Sequence, residues 1–309
     1  MILCLGTTPV YQRTMIFDRL TPDAVNRAKE VSDYASGKSV NAARVIHTLG
    51  GDVLATGFKG GGRGQALLAD LNAAAIPHDF VTTPTETRQC ITLIARTSHT
   101  ATELVEESLP VGPGAWRNLE AKLDEVLSRA KVWVFSGTLA PDADENFYAR
   151  WLPLAAEHRA RLIIDVVGEP LRLAMRHPNA ILKMNREELA RTLNQDLSTD
   201  IALLTAMRHQ VPKEGALIVT LGADGAIACD AHSCWRCPSP KIQPVSAVGS
   251  GDSFAAGLAL ALHDNQPLPE ALKLAVACGA ANAMTPKAGF LEKGQVDRLV
   301  QSVRPELIV

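Results

Sequence analysis

The sequence predicts an α/β protein with a mainly parallel sheet and a smaller group of strands beside it. Three observations carry that expectation. Short β-rich runs alternate with helical runs for most of the chain. Several of those runs end in a serine, an acid or an asparagine, at the carboxyl ends of strands where parallel sheets gather ligands. Two segments, 10–34 and 88–106, break the alternation and are rich in strands instead.

Bulk properties set the frame. A chain of 309 residues and 33.1 kDa can bury a large core. No internal repeat, low-complexity tract or interdomain linker divides it, so residues 1–309 are expected to form one domain. Apolar residues make up 47% and charged residues 21%, as in a soluble enzyme. A net charge of −2 argues against a nucleic-acid or anionic-membrane partner and in favour of small solutes. No apolar stretch approaches the roughly 20 residues of a membrane span. The start, Met1 to Gly6, lacks a basic leader and breaks at Gly6 and Pro9, so it reads as a strand rather than a signal peptide and a cytoplasmic location is expected.

After that first strand, Tyr11 to Asp18 and Glu30 to Tyr34 read as exposed strands. Ala35-Ser36-Gly37-Lys38-Ser39-Val40-Asn41 is a glycine-basic turn feeding a helix. Its Gly-Lys-Ser is not a P-loop, because Ser32 stands where the first glycine of that motif must be. Lys38 can still face an anion, and Asn41 one turn on can bond a hydroxyl. A strand from Val53 to Phe58 precedes a glycine run and a helix from Gln65 to Ala75. Gln65 occupies the third glycine position of a dinucleotide fingerprint, which argues against a nicotinamide oxidoreductase. Arg88 begins a strand and suits a phosphate with its planar fork. Ala101 to Glu106 is one more short strand.

A helix over 115–130, a buried strand from Lys131 to Phe135, a loop beginning Ser136-Gly137 and a helix near 144–159 follow. The strands ending at Asp165 and Asn185 leave Asp165 and Glu188 at or just past strand ends, suited to Mg²⁺ directly or through water. Thr220 to Ala226 is a tight turn into a hairpin that carries Cys229, His232, Cys234 and Cys237. The spacing of these four matches no usual zinc pattern, and strand alternation is expected to separate them.

Val248-Gly249-Ser250-Gly251-Asp252-Ser253 then runs into an apolar helix. A Gly-Ser-Gly turn at a helix start aims unpaired amides at one spot and makes a phosphate cradle. Asp252 in the first turn is placed to take a proton from an attacking hydroxyl. The plain alternative is a helix cap.

These motifs, with Glu86-Thr87-Arg88, Ser136-Gly137-Thr138-Leu139, Lys183-Met184-Asn185-Arg186-Glu187-Glu188 and Thr220-Leu221-Gly222-Ala223-Asp224-Gly225, stand in one order over nearly the whole chain. The chain thereby resembles the PfkB, or ribokinase-like, carbohydrate kinases, most closely the tagatose-6-phosphate kinase and 1-phosphofructokinase branch. The resemblance implies a three-layer fold, a parallel sheet between helices with a small β lid. It implies ATP and Mg²⁺ as cofactors, Asp252 as catalytic base, and Gly249, Ser250 and Gly251 as the anion hole. It implies that Lys183, Asn185, Glu188, Thr220, Gly222, Gly225 and Asn282 serve the nucleotide, with Glu188 and Asp165 at the metal. Gln12, Arg27, Gly37, Lys38, Asn41, Arg88 and Ser136 would then hold the acceptor, and a homodimer would form through the lid strands.

The departures sit at the sugar end. Gln12 stands where the branch carries an acid for sugar hydroxyls, and Ser36 and Ser39 replace glycines of Gly-Gly-Lys-Gly. The expected activity is phosphorylation of a primary hydroxyl of a sugar phosphate, such as tagatose 6-phosphate or fructose 1-phosphate. The alternatives are another sugar, polyol or nucleoside acceptor, or a non-catalytic sugar or nucleotide sensor on the same fold.

Overall fold

The structure is a computed structural model and describes residues 1–308. Strand β1 (Ile2–Gly6) opens the main sheet, and the chain then leaves it for β2 (Val10–Phe17) and β3 (Glu30–Ser36). It returns through α1 (Lys38–Thr48), β4 (Val53–Lys59), α2 (Gly61–Ala73) and β5 (His78–Thr82), and leaves again for β6 (Arg88–Ala95) and β7 (Thr100–Val105). The rest follows as α3 (Pro113–Val126), β8 (Val132–Ser136), α4 (Leu152–Glu157), β9 (Arg161–Asp165), α5 (Glu169–Ala174), β10 (Ile181–Asn185), α6 (Arg186–Leu193) and α7 (Asp200–Gln210). The last elements are β11 (Ala216–Thr220), β12 (Ala226–Cys229), β13 (Cys234–Cys237), α8 (Ser250–His263), α9 (Leu268–Ala283), α10 (Lys293–Val300) and β14 (Glu306–Leu307).

The main sheet has the order β14-β13-β12-β11-β10-β9-β8-β1-β4-β5. From β11 to β5 its pairs are parallel, and β12, β13 and β14 add antiparallel strands at one edge. Its parallel strands are apolar on both faces because both are covered. Cys4, Val134 and Ile218 pack with α1, α2, α8 and α9. Leu3, Phe135 and Leu217 pack with α3 to α7 on the other side. That is the three-layer arrangement the sequence analysis expects. Growth of the sheet reverses at β1, which lies between β8 and β4, so a crevice opens past the carboxyl ends of β1 and β8.

The lid is a separate sheet in the order β3-β2-β6-β7. Its central strand β2 is half-buried rather than exposed: Gln12, Thr14 and Ile16 turn inward, while Tyr11, Arg13 and Met15 turn outward. The glycine run lies in the first turn of α2, four residues earlier than sequence periodicity indicates. The helix expected near 144–159 shrinks to α4 after one 3₁₀ turn, because Pro153 fits only a first turn. Helices α5 and α7 carry no expectation from the sequence; α7 is started by Thr199, whose side chain accepts from the Ala202 amide.

The cysteine hairpin forms as expected, but alternation does not separate all its thiols. Cys229 and Cys234 are direct cross-strand partners and form a disulfide, on the face toward α7. Cys237 points to the opposite face and is a buried free thiol, and His232 lies in the turn.

Helices α8 and α9 lie against one another along most of their length, which seats the amino end of α8 over the crevice. Gly257 allows this approach: a Cβ there would lie 2.8 Å from the Leu274 carbonyl oxygen and 2.9 Å from both the Ala275 Cα and the Cys278 Sγ. Alanine in a helix gains about 1 kcal/mol over glycine, but overpacking against backbone costs about 1–3 kcal/mol. Gly257→Ala is therefore expected to lower the thermal midpoint and weaken activity in parallel; an unchanged or raised midpoint by calorimetry would show the helices free to separate.

Candidate active site

Past the crevice lies a cleft of about 1110 Å³, roofed by the lid. A single ligand site is usually about 300–1,000 Å³, so this one has room for two substrates. Gln12, Gly37, Lys38, Asn41 and Arg88 line one end, and Lys183, Asn185, Glu188, Thr220, Gly222 and Gly225 line the other. Gly249, Ser250, Gly251 and Asp252 lie between them.

The turn before α8 is set by Gly249, at φ 80°. A side chain there would meet the Ala288 backbone at 2.7 Å, so only glycine lets the two loops approach. The Ser250 amide donates to Ala247 and the Ser253 amide to Gly249. Among the described residues the Gly251 and Asp252 amides have no backbone partner. Two N–H groups at a helix start thus face the cleft, where the helix dipole favours an anion. The Lys183 ammonium is close by, 2.9 Å from where a Gly251 Cβ would be.

Asp252 is 9% exposed and accepts a 2.7 Å hydrogen bond from Asn41 Nδ2. Burial pushes its carboxyl up, Lys38 works against that, and the result is a pKa of about 6. Above that value it is an ionised base in a nearly dry site. Ser36, one of the serines that replaces a glycine, donates to Asn41 Oδ1 at 2.9 Å. That bond turns the Asn41 amide so that its N–H₂ faces Asp252.

Asp165 does not line the cleft. It is fully buried at the end of β9, with one oxygen 2.8 Å from Lys38 Nζ and the other 2.8 Å from Lys183 Nζ. With both oxygens so occupied, it anchors two ammonium groups and is not placed as a direct metal ligand. Burial alone would raise its pKa, but the two lysines hold it below the usual carboxylate range. Burial likewise would lower the Lys38 pKa, and Asp165, Asp252 and Glu188 raise it instead.

Three other expected residues also lie off the cleft. Asn282 is fully buried and braces the cradle: it donates to the Val248 carbonyl and accepts from the Gly289 amide and Ser253 hydroxyl. The wall near it is made by Val276, Gly279, Ala280 and Ala283 instead, one face of α9 that small residues at helical spacing foreshadow. Arg27 lies in the exposed connection between β2 and β3. Ser136 is buried at the end of β8, and its hydroxyl has no partner.

At the nucleotide end, Asn185 caps α6 by accepting from the Glu188 amide, while Glu188 Oε2 accepts from the Asn185 amide. The N-x-x-E pair is a capping box whose polar atoms also border the cleft. At the acceptor end, Arg88 donates to the Glu106 and Thr8 carbonyls, and its buried Nε has no partner.

A family model described as pfkB family carbohydrate kinase matches residues 1–293. The chain belongs to the pfkB family. Phosphofructokinase-2 from Escherichia coli, in complex with potassium, superposes with a TM-score of 0.89 at 25% identity, over 97% of this chain and 98% of that one. A possible 1-phosphofructokinase from Thermotoga maritima gives 0.91 at 20% identity, over 100% and 99%. As a pfkB kinase, the protein is a phosphotransferase with an alcohol group of a carbohydrate as acceptor.

The two buried acids affect stability in opposite directions. The folded pKa of Asp165 is depressed, so its contribution is present above the unfolded value near 4 and is lost as pH falls through the folded one. The folded pKa of Asp252 is raised, so its contribution is present below about pH 4 and is lost as pH rises through about 6. At pH 7.5, Asp165→Asn should cost about 3 kcal/mol or more by leaving two lysines unpaired. Asp252→Asn should keep or raise the midpoint. Equal losses in the two variants, measured by thermal unfolding, would contradict this assignment of charge.

Proposed function

We propose that this kinase transfers the γ-phosphate of ATP to a hydroxyl of a hexose phosphate, of the tagatose 6-phosphate or fructose 1-phosphate kind. The observation that carries the proposal is the first turn of α8, which combines a desolvated carboxylate with two unpaired amides and a neighbouring lysine. Phosphoryl transfer needs chiefly positioning and charge neutralisation, and this turn supplies both.

In this reading Asp252 takes the acceptor's proton as its oxygen attacks. The Gly251 and Asp252 amides and Lys183 meet the charge on the transferring group. Lys38 and Lys183 keep their places through Asp165, and Asn41 holds Asp252 toward the acceptor. Asn185, Thr220, Gly222 and Gly225 border the space for the nucleotide. Glu188 is the one carboxylate among the residues at that end, which fits an ion that binds through one or two carboxylates, water and phosphates. When bound there, Mg²⁺ neutralises phosphate charge. The unpaired Nε of Arg88 favours an acceptor that brings an anion of its own. Phosphofructokinase-2 from Escherichia coli has been solved with fructose 6-phosphate, which is consistent with an acceptor of this class.

Gln12 favours a second reading, a neutral sugar, polyol or nucleoside acceptor. It is buried, carries no charge, and its amide donates to Thr92 Oγ1 at 2.9 Å. ADP release measured over a panel of sugars and sugar phosphates separates the two, since only hexose phosphates should turn over efficiently. Asp252→Asn should lower kcat by about 10²–10⁴ while ATP still binds. The wild-type rate should fall about tenfold per unit below pH 6 as Asp252 protonates. An undiminished rate in the Asn variant would remove Asp252 as the base, whereas ATP binding without ADP release on any acceptor in the wild type would leave the sensor reading.

We also propose that the chain pairs with a second copy through the lid. Strands β3 and β7 are open edges, and Val31, Leu104 and Val105 on them are about half exposed. Val31→Lys with Leu104→Lys should convert a dimer to a monomer in light scattering. A wild type that is monomeric at micromolar concentration would refute the pairing.

A further inference from the structure

The acid that Gln12 replaces has a counterpart elsewhere on the lid. The inward faces of the lid strands form cross-strand rows: Tyr34, Gln12, Cys90 and Val105 in one, and Ser32, Thr14, Thr92 and Glu103 in the next. Thr92, which accepts from the Gln12 amide, is the direct partner of Glu103. Glu103 borders the cleft with Gln12 and Cys90. Its strand is exposed as a whole, Glu103 included, but its register opposite Thr92 places it on the side of the sheet that borders the cleft.

Among the described residues Glu103 forms no hydrogen bond or ion pair. The contrast with its neighbours is clear: Glu106, three residues on, is paired to Arg63, and Glu30 is paired to Arg96. Partial burial raises the Glu103 pKa, with no bonded group to offset it, and its charge is felt at Tyr34 and Cys90 on the same inner face. A carboxylate that borders a cleft without a protein partner is free to accept from a donor that arrives with the ligand.

We propose that Glu103 is a specificity-determining residue of the acceptor site, accepting hydrogen bonds from non-reacting hydroxyls of the carbohydrate in place of the acid absent at Gln12. The inference rests on the kinase reading above and narrows it. The acceptor carries a hydroxyl remote from its anionic end, because Glu103 is two cross-strand rows from the Arg88 row. An anionic group at the Glu103 position would be repelled, so the acceptor's charge lies toward Arg88 and its hydroxyls lie under β7.

The test compares wild type, Glu103→Gln and Glu103→Ala in ADP release with fructose 1-phosphate, fructose 6-phosphate and tagatose 6-phosphate, together with neutral fructose and mannitol. On the best acceptor, both variants should raise the acceptor KM about tenfold or more, as loss of a charge-assisted hydrogen bond requires. The KM for ATP should stay unchanged and kcat within about threefold. A deoxy analogue lacking the bonded hydroxyl should weaken wild type but not Glu103→Gln, which a purely structural role would not produce. Unchanged acceptor KM in both variants, or equal losses on every deoxy analogue, overturns the proposal. If wild type turns over only neutral sugars, the hexose-phosphate reading fails while Glu103 is still judged on those sugars. If it turns over none of the five, both fail.

Discussion

Asp165 is fully buried and holds two ammonium groups at 2.8 Å, one on each oxygen. The site depends on this arrangement, because the two lysines come from different parts of the chain: Lys38 begins α1 and Lys183 lies in β10. One carboxylate at the end of β9 therefore ties the start of α1 to β10. Without it, two cations would face one another across the cleft at a cost of several kcal/mol. With it, the three groups together carry one positive charge, next to the unpaired amides at the start of α8. Asp252 is influenced by all three groups. Burial drives its pKa up, Lys38 and Lys183 pull it down, and Asp165 pushes it up again, so a value of about 6 is a balance rather than the effect of one neighbour.

Packing makes that balance possible. The amino end of α8 reaches the crevice because small residues line its contact with α9, and because Gly249 lets the 288–289 loop pass at backbone distance. Asn282 closes the same unit from behind, with its amide shared among Val248, Ser253 and Gly289. A polar side chain fully buried at the end of an apolar helix is tolerated only when its groups find partners. Here those partners are the loops that shape the cradle, so a core contact and a functional geometry are one set of bonds.

Much of this was legible in the residues. Strand and helix alternation gives the layered sheet, and the glycine, lysine and acid motifs fall where the sheet's switch point gathers them. The differences have three causes: pairing register, helix phase and the lack of regular structure, none of which a local pattern records. Cys229 and Cys234 look separated by alternation until the hairpin makes them opposite one another. Glu103 lies in a short strand that the sequence marks, but only the pairing of β7 with β6 puts it beside the cleft. Asn282 is near the nucleotide in sequence order yet faces the core, because helix phase and not position along the helix decides where a side chain points. Arg27 lies in a connection without regular structure, where sequence gives no placement.

The acceptor end departs from its branch, yet its polar groups are largely reconnected. Ser36 orients Asn41, and Gln12 is bonded to Thr92. Two groups that border the cleft lack a protein partner: the buried Arg88 Nε and the more exposed Glu103 carboxylate, a donor and an acceptor two inward rows apart on the lid. A buried unmet donor such as the Arg88 Nε costs about 1–3 kcal/mol, and a charge-assisted bond from a ligand hydroxyl is available to the Glu103 carboxylate. Neither can satisfy the other across two cross-strand rows. A molecule with an anionic group at one end and hydroxyls at the other partners both groups at once. A neutral polyol partners only one, and an anion without hydroxyls only the other. Selectivity for a sugar phosphate therefore does not require the acid that Gln12 displaced, provided the remaining charges are spaced to match the acceptor's two ends.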